Sequence, residues 1–238
     1  MNICKLDHRQ WQGSSLAVGT HHHAGLEMDR GTRYRKAWAV VLGLLASLSA
    51  AAPAWACRLS VLGDSLAAGY GVAETEAFPA RLEQALKARG VDCVVLNAGV
   101  SGDTPAGGLA RLDWVLADQP THLLVELGGN DALRALPVEQ LRNNLDQIVS
   151  SAEARGVQVI LAGMLAPPNL GRTYTEAFKQ VYVDVARQHD VPLYPFFLDG
   201  AVLQDGLMQP DGVHPSAQGV DVIVERITPL LASVLQDD

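Results

Sequence analysis

The chain has 238 residues, a formal net charge of −8, 48% hydrophobic and 18% charged residues. This composition excludes a disordered polyelectrolyte and argues against a protein that holds nucleic acid by charge. The balance turns more acidic without the first 56 residues, which carry Lys5, Arg9, Arg30, Arg33, Arg35 and Lys36 against only Asp7, Glu27 and Asp29.

The front end does not read as part of a fold. Residues 1–27, with the histidine run His21–His23, fit neither a leader nor a domain. Met28 reads as an alternative start, which makes 1–27 an overcalled or non-native extension. The histidines could bind metal, but no function is built on them. Residues 28–56 have the layout of a secretory signal peptide: Arg33, Arg35 and Lys36, an apolar run from Ala37 to about Ala52, then Ala54-Trp55-Ala56 before Cys57. The run is short for a membrane span. Export with cleavage after Ala56 is expected, to the periplasm or the exterior, with no stable membrane insertion afterwards. A retained anchor helix is the alternative, opposed by Pro53 and the small-x-small site. Lipidation of Cys57 is opposed by Ala54, which stands where a leucine is usual.

Residues 57–238 suffice for one domain with a substantial core. Apolar runs at 58–63, 91–99, 121–129, 157–165 and 191–197 alternate with helix-like stretches at about 76–89, 104–117, 138–155, 173–189 and 216–235. The runs are rich in Val, Leu and Ile without alternation, as in strands buried on both faces of a parallel sheet. Five such strands joined by helices predict a doubly wound, three-layer α/β sandwich. There is no internal repeat or second domain.

Open parallel sheets bind ligands beyond their carboxyl edge, and there the chain places its unusual polar sequences. "GDSLAAGYG" follows the first strand, "NAGVSGDT" the second and "ELGGND" the third, while "DGVHPSAQG" follows the fifth. A serine hydroxyl needs a base within hydrogen-bond reach and donors for the oxyanion formed on attack. Ser65, just beyond the first strand, suits the nucleophile, although alone it could simply cap the next helix. Gly102 suits a main-chain donor and Asn130 a side-chain donor; their plain alternatives are a loop glycine and a turn former. Asp211 and His214 lie three residues apart, so one turn can deliver a base and the carboxylate that orients it. His122, at a strand start, and His189, at a helix end, read as satisfied core or surface residues.

These four blocks resemble the SGNH (GDSL) hydrolases, in which Ser, Gly, Asn and His come from separate blocks in this order. The match is closer to the periplasmic thioesterase I/protease I/lysophospholipase L1 (arylesterase) subgroup and spans nearly all of residues 57–238. The resemblance implies a flavodoxin-like sheet of order 2-1-3-4-5. It also implies Ser65 as nucleophile, His214 as base, Asp211 as its partner, and an oxyanion hole from the Ser65 and Gly102 N–H groups with Asn130. The implied reaction is transfer of an acyl group from an ester, thioester or lysophospholipid to water through an acyl-serine, by a monomer needing no metal or cofactor. No G-x-S-x-G elbow is present, which speaks against the ordinary α/β-hydrolase fold.

"PPNLGRTYTEAF" (167–178) resembles the subgroup's mobile loop, and Leu165, Pro168 and Leu170 offer apolar surface for an acyl tail. Three alternatives stand beside this reading: a carbohydrate-ester deacetylase, a non-catalytic acyl-chain binder, and a metal hydrolase using Asp64, Asp131, Asp211 and His214. Cys57 and Cys93 begin neighbouring strands in the expected sheet; a bridge between them and two free thiols both remain open.

Overall fold

In the computed structural model, residues 57–236 are described; the leader and start-site expectations for residues 1–56 lie outside them. Five parallel strands form one sheet in the order 2-1-3-4-5: β1 (Cys57–Gly63), β2 (Cys93–Gly99), β3 (His122–Glu126), β4 (Gln158–Ala162) and β5 (Leu193–Tyr194). All of β3 is buried, as are the last five residues of β1 and the last four of β4. Continuous apolar sequence is what a strand covered on both faces requires.

The helices are α1 (Ser65–Ala68), α2 (Phe78–Ala88), α3 (Pro105–Ala110), α4 (Leu112–Ala117), α5 (Gly129–Leu133), α6 (Val138–Glu153), α7 (Arg172–His189) and α8 (Ala217–Gln236). Packing of α2 against α8, and of α3 and α7 against α6, supplies the two outer layers. Leu141, Leu145, Ile148, Val149 and Ala152 recur at helical spacing along α6 and are buried. His122 is buried at the start of β3, its Nδ1 2.9 Å from Thr121 Oγ1. His189, at the end of α7, bonds Asp146 and Glu153 instead.

Three elements depart from expectation. β2, at the sheet edge, has only Cys93 and Ala98 buried, where burial on both faces was expected. The fifth strand is two residues long, because Pro192 and Pro195 bracket it and neither can donate to a ladder. The single helix expected over 104–117 is two, parted at Arg111, whose backbone at φ −108°, ψ 6° leaves the helical range. In β1 and β2, Cys57 pairs in register with Cys93, and the two are joined by a disulfide with Cα atoms 4.5 Å apart. Among the described residues no helix is long and apolar enough to cross a membrane.

Candidate active site

The carboxyl ends of β1, β2 and β3 carry three of the four polar blocks, and register alignment brings them level: Gly63 pairs with Gly99 on one side and Glu126 on the other. β2 can end against α1 because residue 99 is glycine; a Cβ there would lie 2.3 Å from the Ala68 nitrogen.

The helix cap beside the serine is Asp64, not Ser65. Asp64 Oδ1 accepts the Leu66 N–H at 3.0 Å, which leaves the Ser65 hydroxyl available. Ser65 Oγ lies 2.9 Å from His214 Nε2, and His214 Nδ1 lies 2.6 Å from Asp211 Oδ2. With a carboxylate at Nδ1, the stable neutral tautomer carries its proton there and presents an Nε2 lone pair to the serine.

The three-residue spacing works because each Asp211 oxygen has its own task. Oδ1 accepts the Val213 and His214 N–H groups at 2.9 and 3.0 Å and shapes the turn, while Oδ2 holds the ring. The His214 side-chain bond, with those two N–H bonds, lowers the Asp211 pKa to about 2. Tyr70 covers the imidazole, ring centroids 4.5 Å apart, and Gln209 ties the two segments by donating to the Tyr70 and Pro215 carbonyls.

Gly102 adopts φ +82°, a left-handed conformation that favours glycine. Among the described residues no hydrogen bond occupies its N–H or that of Ser65. Asn130 Nδ2 donates to Asp64 Oδ2 at 3.0 Å, which leaves its second amino hydrogen free.

Beneath this edge lie three buried acids. Burial raises Asp64 and Asp131 to about 6 each, against the pull of hydrogen bonds to Leu66 and Asn130 in the first case. Burial, and then the Asp64 charge, hold Glu126 well above the ordinary carboxyl range. Glu126 Oε2 accepts the Asp64 N–H at 3.2 Å, while Oε1 has no hydrogen-bond partner among the described residues. Neither Glu126 nor Tyr70 was identifiable from sequence, although both sit inside the quoted blocks.

A cleft of about 720 Å³ opens beside Ser65 and His214, walled chiefly by apolar side chains such as Leu133, Leu165, Pro168, Phe196, Leu198 and Leu203. Leu165 and Pro168 thus lie where expected. Leu170 is not part of the wall: it ends the 3-10 turn Pro168–Leu170, its N–H bonded to the Pro167 carbonyl, and this turn packs on α7. Leu133 and the 196–203 segment take its place, and no sequence periodicity marked them. No cluster of three or more His, Cys, Asp or Glu side chains that could hold a metal ion occurs among the described residues. Asp64 is spent on the Leu66 N–H and the Asn130 amide, and Asp211 on His214.

A parallel sheet with serine, histidine and aspartate hydrogen-bonded in line at its carboxyl edge defines an enzyme of the serine hydrolase class. Residues 61–222 match the GDSL-like Lipase/Acylhydrolase family. The chain is 42% identical over 194 residues to Esterase TesA of Pseudomonas aeruginosa, covering 81% of this chain and 96% of that protein. It is 39% identical over 181 residues to Thioesterase 1/protease 1/lysophospholipase L1 of Escherichia coli K12, covering 76% of this chain and 86% of the other. Among solved structures, the psychrotrophic esterase EstA from Pseudoalteromonas sp., inhibited by monoethylphosphonate, superposes with a TM-score of 0.71 at 32% identity, covering 75% of this chain and 98% of that one. The chain belongs to the GDSL-like lipase/acylhydrolase family and is an ester-bond hydrolase.

Proposed function

We propose that Ser65 is the nucleophile of a carboxylic ester and thioester hydrolase, that His214 is its general base, and that Asp211 orients and charge-balances His214. The supporting observation is the unbroken line from Ser65 Oγ through His214 to Asp211 at 2.9 and 2.6 Å. His214 Nε2 takes the hydroxyl proton as Oγ attacks the acyl carbon, then returns it to the leaving alcohol or thiol; a water attacks the acyl-serine by the same route. The Asp211 carboxylate, lowered to about 2 by its bonds to His214 and Val213, stays ionised to stabilise the imidazolium. The oxyanion receives the Ser65 and Gly102 N–H groups and the free amino hydrogen of Asn130.

Acyl esters, acyl thioesters and lysophospholipids are the substrate classes, since the relatives' names include esterase, thioesterase and lysophospholipase and the cleft wall is apolar. That wall disfavours a sugar-ester deacetylase, which needs polar contacts around its substrate. The protein is exported with residues 28–56 removed as a signal peptide, and it acts as a monomer. The test is covalent labelling with a fluorophosphonate, the chemistry to which the EstA phosphonate complex points. The wild type labels on Ser65, and Ser65→Ala loses both labelling and about three or more decades of kcat. Undiminished labelling of Ser65→Ala removes the serine from this role.

A further inference from the structure

Gly102 comes from the loop after β2 and Asn130 from α5, the short helix after β3, so their alignment needs a mechanical link. Both flanks of the Gly102 loop are anchored to the nucleophile strand. The Gly63 carbonyl accepts the Val100 N–H at 3.0 Å and Arg111 Nη2 at 3.1 Å; Arg111 Nε pairs with Asp103 Oδ2 at 2.8 Å, and Asp103 Oδ1 accepts the Thr104 N–H at 3.0 Å. Between the flanks, the Gly102 carbonyl accepts Arg134 Nη2 at 2.9 Å.

The same nitrogen lies 3.4 Å from Asn130 Oδ1, and the Arg134 backbone N–H donates to the Asn130 carbonyl at 3.1 Å. The Asn130 amide is therefore held from both ends, its oxygen toward Arg134 and its amino group on Asp64. Such an arrangement excludes the flipped amide, which would set nitrogen against guanidinium and oxygen against carboxylate.

We propose that Arg134 is a positioning residue for the hydrolysis: its guanidinium bridges the Gly102 carbonyl and the Asn130 amide oxygen and so fixes the two donors relative to each other. This inference rests on the reading of Gly102 and Asn130 as oxyanion donors. A planar guanidinium suits the task because its donors are fixed relative to one another, whereas a lysine ammonium on a flexible stem holds neither partner in a set direction. The ordinary role for an exposed arginine with a partner at i−4 is a solvated surface contact, worth little to stability and nothing to rate.

Steady-state kinetics on p-nitrophenyl butyrate, with thermal melts, separate these roles using wild type, Arg134→Met, Arg134→Lys, Asn130→Ala and the Arg134→Met/Asn130→Ala double variant. A misplaced donor loses rate without losing ground-state binding. The expected result for Arg134→Met is a kcat lower by about tenfold, KM within about twofold and an unshifted melt, with Arg134→Lys recovering only part of the loss. In the Asn130→Ala background, itself slower by roughly 10²–10³, Arg134→Met costs less than about threefold, because one of the two groups it aligns is gone. Wild-type kcat in Arg134→Met, or an equal loss in both backgrounds, overturns the bridging role while the oxyanion reading stands. Wild-type kcat in Asn130→Ala overturns the oxyanion reading and this inference with it.

Discussion

Asp64→Asn separates what the site needs from what the fold tolerates. Asp64 is 2% exposed, and its folded-state pKa is raised, by burial first, from 3.8 to about 6. Between those values the folded protein holds a proton that the unfolded chain has released, so stability falls as pH rises through the interval. Above pH 6 the cost is complete, and the rise corresponds to about 3 kcal/mol. Asparagine keeps the helix cap through its Oδ1 and cannot ionise. It meets the Asn130 amino group with an amino group of its own, so part of the gain is lost to that conflict.

The stability difference, variant minus wild type, is therefore expected to start at or below zero near pH 4. It climbs by about 3 kcal/mol to pH 6 and is level beyond, a span of roughly 6–12 °C in melting temperature for a domain of this size. Activity moves the other way, with kcat falling because Asn130 loses the acceptor that orients it. Urea titrations at half-unit steps from pH 4 to 8, paired with kcat, measure both. A stability difference flat across pH 4–6 refutes the assignment of a buried, ionising Asp64.

Two further outcomes are expected. Reduction of Cys57–Cys93, which closes a loop of sequence separation 36, costs about 3–4 kcal/mol on the chain-entropy relation and should appear as a lowered melt in dithiothreitol; an unchanged melt with two titrated thiols contradicts it. Leu165→Asn should lower kcat/KM on eight-to-twelve-carbon esters several-fold more than on acetate esters, since each methylene buried along the cleft contributes up to about 0.8 kcal/mol. Leu170→Asn serves as the control and leaves that ratio unchanged.

What the sequence disclosed follows the range of its physical signals. Strands β1, β3 and β4 were legible because burial on both faces demands an unbroken apolar run, β2 by its apolar residues 93–96 even though it lies at the sheet edge, and α6 because its apolar residues keep helical spacing. Ser65, Gly102, Asn130, Asp211 and His214 were nominated because each lies in a polar block at a strand end, and the structure brings Ser65, His214 and Asp211 into one hydrogen-bonded line. The obscured features depend on contacts between distant segments. Arg111 reads as a helix residue until its bond to Gly63 is seen, and Leu203 lies in a loop without periodicity. Leu170 was assigned by proximity in sequence to Pro168, but the intervening 3-10 turn separates their surroundings. Glu126 closes the strand after Leu123, Leu124 and Val125, and only the fold reveals that its carboxyl is fully buried beside Asp64.

Glu126 offers a second probe of the buried acids beneath the site, one that leaves the Asn130 acceptor in place. Its pKa is raised well above the ordinary carboxyl range, by burial and then by the Asp64 charge. From the ordinary carboxyl pKa up to that raised value, the folded protein holds a proton that the unfolded chain has released. Glutamine copies the neutral acid's shape and can still accept the Asp64 N–H through its oxygen, so Glu126→Gln should match wild-type stability near pH 4. From there its advantage should grow as pH rises and the unfolded chain releases its proton, by up to about 1.4 kcal/mol per pH unit while the folded-state acid stays protonated. Because Asn130 keeps its Asp64 acceptor, kcat should stay near wild type. A stability difference between Glu126→Gln and wild type that stays flat as pH rises from 4 to 7 would refute a buried Glu126 with a raised pKa.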